Sequence, residues 1–264
     1  MKSILAVFFL ILFKPAFSQT IPDSSRTLRV LTFNIYHGAT MKGDFDLDRI
    51  AGIINDSNPD LVALQEVDHQ TNRSRKYHLM NELASRTGLS PLFARSMYFD
   101  GGEYGNGILS RFSFIRTRVI PLPTADGKEP RTAVEVVVKI NEKDTISFIG
   151  THLDHTGVAF RLKQIQRLTE TFSSNSYPTI LAGDLNAVPG SETIRLLENN
   201  WDSFVDIEKY ESTFPDYDHP ENARKLDYIM ASPKGGWRML ETQVIKDNIA
   251  SDHYALLMVL ELRN

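Results

Sequence analysis

The segment from Tyr177 to Ala187 (YPTILAGDLNA) constrains the fold more than any other part of the chain. An apolar run typical of a buried strand passes through a glycine and ends at Asp184 and Asn186, two positions apart. Residues two apart on an extended segment point to the same side, so these two side chains are predicted to point together and Leu185 to point away. The carboxylate could then orient or deprotonate a water molecule, and the amide could donate to a developing oxyanion. A turn-forming role is the alternative for an isolated pair of this kind.

Further polar clusters accompany other strand-like apolar runs along the chain. The runs are RVLTF, DLVALQ, TISFIGT, YIMAS and YALLMVLEL. Each run adjoins a residue that can bind a metal, a proton or a phosphate, and these residues are Asn34, Glu66, His152, Asp227 and the adjacent pair Asp252 and His253. Several such strand ends in one chain indicate a shared site more strongly than any one of them alone.

The order of helical and strand patterns predicts an α/β protein. Two strands, Leu28 to Ile35 and Asp60 to Val67, flank a helix that starts after Asp46, a favourable N-cap residue. Further helices are predicted over Leu79 to Arg86, over Leu162 to Phe172, and after Ser191; the stretch from Pro91 to Ile149 has the pattern of consecutive strands and turns. Parallel units around an antiparallel middle fit two facing sheets covered by helices.

This ordered set of motifs resembles the endonuclease/exonuclease/phosphatase superfamily, which includes deoxyribonucleases, sphingomyelinases and inositol polyphosphate phosphatases. The resemblance spans about Leu28 to Leu262, nearly the whole chain. It implies a four-layer α/β sandwich of two facing mixed β-sheets flanked by helices. It also implies an active site at one end of the facing sheets.

The resemblance also implies roles for the polar clusters. A metal ion, Mg²⁺ with Mn²⁺ as an alternative, would be held by Asn34, Glu66 and Asp252. The catalytic set would be His152, Asp184, Asn186, Asp227, Asp252 and His253. Since Asp252 and His253 are adjacent, their side chains diverge on an extended chain, and Asp227 is the acid predicted to orient His253. For Asp252 a role toward the metal and a role toward the histidine both remain open.

Four residues are weaker candidates for substrate contact. Tyr104 and Asn106 lie in GGEYGNGILSR, which could equally be a glycine-rich hairpin without a chemical role. Arg161 could contact a headgroup, although a solvated helix face is favoured. His37 follows Tyr36, which occupies a position that is polar and metal-binding in several branches of the family. Tyr36 therefore argues against a second metal site and against the abasic-site repair branch.

Two other patterns receive simpler interpretations. The segment THLDHTG partly resembles a zinc motif of metallo-β-lactamase-like hydrolases, but Gly150 stands where that motif requires a histidine, so zinc is disfavoured. Arginines that alternate with apolar residues are predicted to lie on the solvent face of strands, and a local basic groove is the alternative; they are Arg111, Arg116, Arg118 and Arg131.

The N-terminus predicts export. Lys2, an apolar stretch and the small residues around Phe17 form a secretory signal over residues 1–18, which leaves residues 19–264 as one catalytic domain. A retained signal anchor is the alternative. Loss of the signal would change the formal charge from −4 to −6, because Lys2 and Lys14 are removed. The chain contains no cysteine, which suits a bacterial periplasmic or extracellular enzyme, and we expect a monomer without stable membrane insertion.

These observations predict an exported, Mg²⁺-dependent phosphoesterase in which a metal- and Asp-oriented water attacks a phosphodiester or phosphomonoester. The acidic balance favours a lipid, an inositol headgroup or a small molecule as substrate over duplex nucleic acid. Related domains occur in proteins of glycosylphosphatidylinositol-lipid remodelling. The alternatives are a secreted nuclease and a surface-binding protein that retained the fold without the chemistry, which the intact polar set disfavours.

Overall fold

The computed structural model describes residues 26–217 and 219–263. The predicted signal sequence over residues 1–18 lies outside the described residues. The strands are β1 (Thr27–Asn34), β2 (Leu61–His69), β3 (Ser90–Phe99), β4 (Gly102–Ser110), β5 (Phe114–Pro121), β6 (Thr132–Lys139), β7 (Thr145–His152), β8 (Thr179–Asp184), β9 (Asp227–Ala231), β10 (Arg238–Ile245) and β11 (Ala255–Glu261). The α-helices are α1 (Leu47–Ser57), α2 (Leu79–Thr87), α3 (Val158–Phe172) and α4 (Glu192–Glu198).

The strands form two mixed sheets that face each other. One sheet has the order β10-β11-β1-β2-β4-β3, and the other has the order β5-β6-β7-β8-β9. Each sheet contains one parallel pair, β1 with β2 and β7 with β8, and the other pairs are antiparallel. The parallel pairs bring the carboxyl ends of neighbouring strands to one edge, where the polar clusters of the sequence lie.

Three apolar layers hold the sheets and helices together. Side chains such as Val30, Ile108 and Phe148 fill the space between the two sheets. Helices α1 and α2 cover the outer face of the first sheet, and α3 and α4 cover that of the second. The predicted four-layer sandwich is confirmed. Burial of these apolar surfaces is the main favourable term for the fold.

The predicted helix starts follow from local hydrogen bonding. The Asp46 carboxylate accepts from the backbone N–H of Arg49 at 2.9 Å, and the Ser191 hydroxyl accepts from that of Ile194 at 3.5 Å. Each bond satisfies a donor that the first turn of a helix leaves unpaired. Within the described part of the chain, every helix falls short of the length and apolar character that crossing a bilayer requires.

The prediction of solvent-facing arginines was wrong for Arg131. Only 4% of Arg131 is exposed, because it precedes β6 at the inner end of the sheets instead of lying on an outer strand face. Arg116 and Arg118 are half-exposed, and both pair with Glu135, which is fully buried. Arg111 follows the prediction, since it is exposed and pairs with Asp60 at 2.8 Å.

Candidate active site

Strand pairing places three catalytic candidates side by side on the second sheet. His152 at the end of β7 lies opposite Asp184 at the end of β8, and Asp184 lies opposite Asp227 at the start of β9. On the facing sheet, Asn34 at the end of β1 lies opposite Gln65, the residue before Glu66. The backbone ladders thus bring residues far apart in sequence to the same end of the sandwich.

Asp184 is the centre of this group. Its Oδ2 atom lies 3.3 Å from Nδ2 of Asn34, 3.4 Å from Nε2 of His152 and 3.6 Å from Nε2 of His253. Its Oδ1 atom accepts from the backbone N–H of Asn186 at 2.9 Å. Only 1% of Asp184 is exposed. A buried carboxylate with these neighbours is suited to act as a proton acceptor.

A bulge in β2 turns Glu66 toward the site. The register between β2 and β4 shifts between Leu64 and Val67, and Glu66 has a φ of 56°, in the left-handed region. Such a conformation is uncommon for a residue with a side chain, and bulges of this kind re-aim side chains near active sites. Glu66 Oε1 accepts from Nδ2 of Asn34 at 3.1 Å, while its Oε2 lies 3.9 Å from Nδ1 of His37.

Asn186 reaches the site by a turn, whereas the sequence predicted an extended segment. Strand β8 ends at Asp184, and Asn186 has a φ of 48°. Its amide nitrogen donates to the carbonyl of Leu153 at 3.0 Å and lies 3.0 Å from Nε2 of His152. Leu185 points away into the core under α3 and α4, as predicted. In this geometry the Asn186 amide positions the ring of His152 and is not directed at an open oxyanion position.

His253 is held by an acid from another strand. Its Nδ1 atom lies 2.8 Å from Oδ2 of Asp227, and both residues are buried. The hydroxyl of Ser251 accepts from the His253 backbone N–H at 3.1 Å and donates to the carbonyl of Asn34 at 2.7 Å. Oδ1 of Asp252 lies 3.2 Å from the same hydroxyl, whereas the ion pair to the His253 ring is made by Asp227. Asp227 is therefore the acid that orients the imidazole.

Burial and neighbouring charges give the two histidines different charges. Burial lowers the pKa of His253, but the carboxylates of Asp227 and Asp184 outweigh it and raise the pKa to about 10. Burial, reinforced by Arg131, holds the pKa of His152 well below its usual range. At neutral pH His253 is a cation and His152 is neutral. His253 can therefore neutralise phosphoryl charge, and His152 can accept the hydrogen bond from the Asn186 amide.

The pKa values of the acids Asp184 and Glu66 are also shifted in opposite directions. Burial raises the pKa of Asp184 above its usual range, His253 opposes that shift and Asp227 reinforces it. Burial also acts to raise the pKa of Glu66, but His37, His152 and the Asn34 amide outweigh it and lower the pKa to about 2. Asp184 thus suits proton transfer, and Glu66 remains an anion over the whole physiological range.

The residues around Glu66 fit a hard divalent cation. An ionised carboxylate beside the carboxamide of Asn34 supplies the oxygen ligands that Mg²⁺ prefers, and Mg²⁺ often takes only one or two carboxylates with waters. Asn34 would contribute its amide oxygen after rotation of the amide, since that oxygen now accepts from the Tyr36 N–H at 3.2 Å. Asp252 lies close enough for its charge to be felt by Glu66, and burial raises its pKa.

A second group of possible ligands is less suitable. Asp184, Asp227 and His253 offer ligand atoms within 4.8 Å of one another. However, His253 carries a proton on each ring nitrogen when it is charged, and a metal ligand requires a lone pair. The zinc-like THLDHTG segment also has another use: Asp154 accepts from the backbone N–H groups of Thr156 and Gly157 and stabilises a turn.

The site opens into a cavity of about 300 Å³. Its lining residues that have charged or polar groups are Glu66, Arg73, Tyr104, Glu129, Arg131, His152, His155, Asp184, Asn186 and His253. Sequence reasoning missed Arg73 and Arg131. Arg131 lies 3.2 Å from both Glu129 and Nδ1 of His155. Arg73 pairs with the buried Asp68 at 2.7 Å. No local pattern marks either arginine, because their positions depend on pairing between distant strands.

The structure places one of the four weaker candidates for substrate contact in the lining of the cavity. Tyr104 lines the cavity. Asn106 lies outside the lining and donates to the Thr132 carbonyl at 2.9 Å, which ties the two sheets together. Arg161 also lies outside it and donates to the carbonyl of Asp154 at 2.9 Å. His37 lies behind Glu66 and contributes to its pKa, without lining the cavity.

Comparison with solved structures supports the fold. The chain is similar to an endonuclease/exonuclease/phosphatase from Beutenbergia cavernae, with 25% identity, a TM-score of 0.73, and coverage of 90% of this chain and 72% of that one. It is also similar to the Bacteroides thetaiotaomicron mannosyl-6-phosphatase, with 18% identity, a TM-score of 0.69, and coverage of 88% and 99%. The human Nocturnin catalytic domain has 19% identity, a TM-score of 0.70, and coverage of 92% and 97%. The curated proteins include no match.

A sequence model of the Endonuclease/Exonuclease/phosphatase family matches residues 31–253, most of the chain. The matched range begins in β1 and ends at His253, so it contains every catalytic and metal-binding candidate discussed above. The match agrees with the two facing sheets and with the polar end of the sandwich. The chain belongs to the endonuclease/exonuclease/phosphatase family and is a hydrolase of phosphoester bonds.

Proposed function

We propose that this protein is an exported, Mg²⁺-dependent phosphoesterase that acts on a phosphate ester of a lipid headgroup, an inositol headgroup or a similarly small molecule. The observation that carries this proposal is the position of the Asp184 carboxylate, between the cationic His253 and the neutral His152, at the wall of a cavity. That arrangement provides a proton acceptor beside a positive charge, as ester hydrolysis requires.

The residues of the chain divide the hydrolysis between them. Asp184 takes a proton from water as the water oxygen attacks phosphorus, and the bond from phosphorus to the ester oxygen breaks. The released alkoxide takes up a proton from solvent, and Asp184 returns its proton to solvent. His253, held by Asp227, neutralises the phosphoryl oxygens in the transition state. A divalent cation bound at Glu66 and Asn34 would add charge neutralisation at the same oxygens. Asn186 keeps the His152 ring in place.

Features of the cavity support a small substrate. Its volume of about 300 Å³ lies at the lower end of typical small-molecule sites, which begin near about 300 Å³. Arg73 and Arg131 both line it, so an anionic group beyond the reacting phosphate can be accommodated. A duplex would instead require an extended basic surface, and the formal charge of the whole chain is −4.

One panel of substrates tests the proposal. The protein without residues 1–18 is incubated with Mg²⁺ and plasmid DNA, RNA, sphingomyelin, phosphatidylinositol, inositol phosphates or mannose 6-phosphate. The Asp184→Asn variant serves as the matched inactive control. We expect release of phosphate or of a phosphorylated headgroup from a small substrate. Nicking of plasmid DNA at low enzyme concentration would contradict the proposal and favour a nuclease. Fractionation of cells that express the full chain tests export.

A further inference from the structure

A second cavity lies at the open edge of the sandwich, away from the active site. Strand β9 ends one sheet and β10 ends the other, and the gap between these two edge strands is lined by residues of both. We call it the edge cavity, and the side chains that matter here are Phe204, Lys225, Tyr228, Val244, Leu256 and Met258. It is a separate cavity from the active site, since none of these residues lines the active-site cavity, and the test of its ligand is binding and not turnover.

The edge cavity has room for a short apolar chain. Its volume is about 210 Å³. Dry cavities of about 150 Å³ already bind benzene, whereas drug-sized ligands need about 300 Å³ or more. Leu256 and Met258 also belong to the core between the sheets, so the cavity is an opening into that core. The walls of the cavity are therefore mainly apolar, and a water molecule there would find few hydrogen-bond partners.

One buried cation lies in this apolar lining. Lys225 is only 6% exposed, and its ammonium donates to the backbone carbonyl of Asp227 at 3.0 Å and lies 5.0 Å from the centre of the Tyr228 ring. Among residues 26–217 and 219–263, no carboxylate lies within 4 Å of this ammonium. An ammonium has three donors, and a buried charge without an ionic partner is costly. The ammonium therefore has donors left for a bound anion, and the charges that act on it from within the chain are the carboxylates of Asp227 and Glu211.

The exposed carboxylates at the mouth do not pair directly with the ammonium. Asp206 and Glu211 line the mouth but are exposed. Glu211 pairs with Lys246 at 2.7 Å, and the Asp206 carboxylate accepts from the backbone N–H of Glu208 at 3.0 Å. Burial lowers the pKa of Lys225 to about 8, although Asp227 and Glu211 oppose that shift. The ammonium form therefore still predominates at neutral pH.

We propose that the edge cavity binds a short amphiphilic carboxylate, such as a medium-chain fatty acid. The carboxylate pairs with the Lys225 ammonium, and the hydrocarbon chain lies against Val244, Leu256 and Met258. The positive charge of the buried Lys225 ammonium selects an anionic group, and the apolar wall beside it selects a hydrocarbon chain. A neutral alcohol lacks the charge, and an alkylammonium has the wrong sign.

Isothermal titration with octanoate, octanol and octylammonium tests the proposal on the protein without residues 1–18. We expect octanoate to bind one site with a Kd of about 1 mM or tighter, and octylammonium to show no saturable binding. Lys225→Met should weaken octanoate binding by about tenfold or more, because it removes the buried charge partner. Lys209→Met is the matched control, since Lys209 is an exposed lysine at the mouth of the same cavity.

A second variant separates loss of the site from loss of the fold. Val244→Phe keeps Lys225 and narrows the cavity from its half-buried rim, so octanoate binding should fall while the melting temperature stays close to that of the wild type. Binding of octanol or octylammonium as tight as that of octanoate would overturn the proposal. Unchanged octanoate affinity in a folded Lys225→Met protein, or no saturable octanoate binding to the wild type, would also overturn it.

Discussion

At the scale of single residues, Asp184 shows how position in the fold creates reactivity. The substitution Asp184→Asn keeps the size of the side chain and removes the proton acceptor. We expect kcat to fall by about two to four orders of magnitude, the usual contribution of general acid–base catalysis. Burial raises the pKa of this carboxyl, so its ionised form is disfavoured by folding. The melting temperature without metal at neutral pH should therefore be unchanged or slightly higher.

The matched control is Asp202→Asn, which changes an exposed aspartate. Its kcat and melting temperature should both equal those of the wild type. Measuring the two quantities on the same purified proteins separates chemistry from folding. If Asp184→Asn retains more than about a tenth of the wild-type kcat, Asp184 is not the base.

Arg131 is the second residue whose role depends on the fold. It is buried at the wall of the cavity and pairs with Glu129 at 3.2 Å. Arg131→Gln should lower kcat/KM by about 100-fold, because one preorganised donor to the phosphate is lost. Steady-state kinetics on the best substrate of the panel measures this. Arg111→Gln changes an exposed arginine and should leave kcat/KM unaltered. Equal kinetics for both variants would remove Arg131 from substrate binding.

At the scale of elements, β6 carries a buried acid that joins three parts of the second sheet. Glu135 accepts from the Ser147 hydroxyl at 2.7 Å and from the Asn175 amide at 3.0 Å, and it pairs with Arg118. Glu135→Gln should lower the free energy of unfolding at pH 7 by about 1–2 kcal/mol, because the arginine partners are half-exposed and screened by solvent. Chemical denaturation measures this difference.

The pH dependence of the same difference has a definite sign. Burial acts to raise the pKa of Glu135, but hydrogen bonds from Arg118 and Ser147 outweigh it, so the native pKa is lowered. The stabilisation is complete above the unfolded value of about 4.3 and is lost as pH falls through the lower native value. The gap between wild type and variant should therefore be full at pH 7 and narrow in acid, at a pH below the unfolded value. Glu142→Gln, at an exposed position, should show no gap at either pH.

The elements also show what the sequence could predict. Asp46 and Ser191 act within one helical turn, so their capping roles were visible from spacing alone. The exposure of Arg131 was predicted wrongly. Its position depends on the pairing of Ala133 with Thr151, and no residue near Arg131 in the sequence indicates that pairing. The orientation of Glu66 depends on a bulge opposite β4 and could not be predicted from the sequence either. The order of polar strand ends predicted the family, whereas the arginines and the Asn186 turn required the fold.

At the scale of the whole molecule, binding of a metal ion should affect both turnover and the stability of the fold. EDTA should abolish turnover and Mg²⁺ should restore it, because Glu66 stays ionised and offers a hard oxygen ligand. Mg²⁺ at about 100 times its Kd should stabilise the fold by about 2.7 kcal/mol. A melting-temperature titration measures this without substrate. The increase should disappear in Glu66→Gln and persist in Glu208→Gln, which changes an exposed position.

Three results would contradict this prediction. Full turnover in EDTA would show that the residues of the chain neutralise the phosphate unaided. Restoration by Zn²⁺ alone would indicate a different metal centre, formed by Asp184, Asp227 and His253. An increase in melting temperature that survives Glu66→Gln would place the cation elsewhere in the molecule.

The pairing of His152, Asp184 and Asp227 on consecutive strands also bears on how such a protein can change. Their spacing is set by backbone hydrogen bonds, so insertion of one residue within β8 would turn every side chain beyond it to the opposite face and destroy activity at once. The connection from β5 to β6 instead ends at Arg131, and the connection from β3 to β4 begins directly after Phe99; both residues line the active-site cavity. Substitutions and length changes in those connections can alter which ester is accepted while the hydrolytic step is conserved, so new substrate preferences in this lineage should arise in the loops.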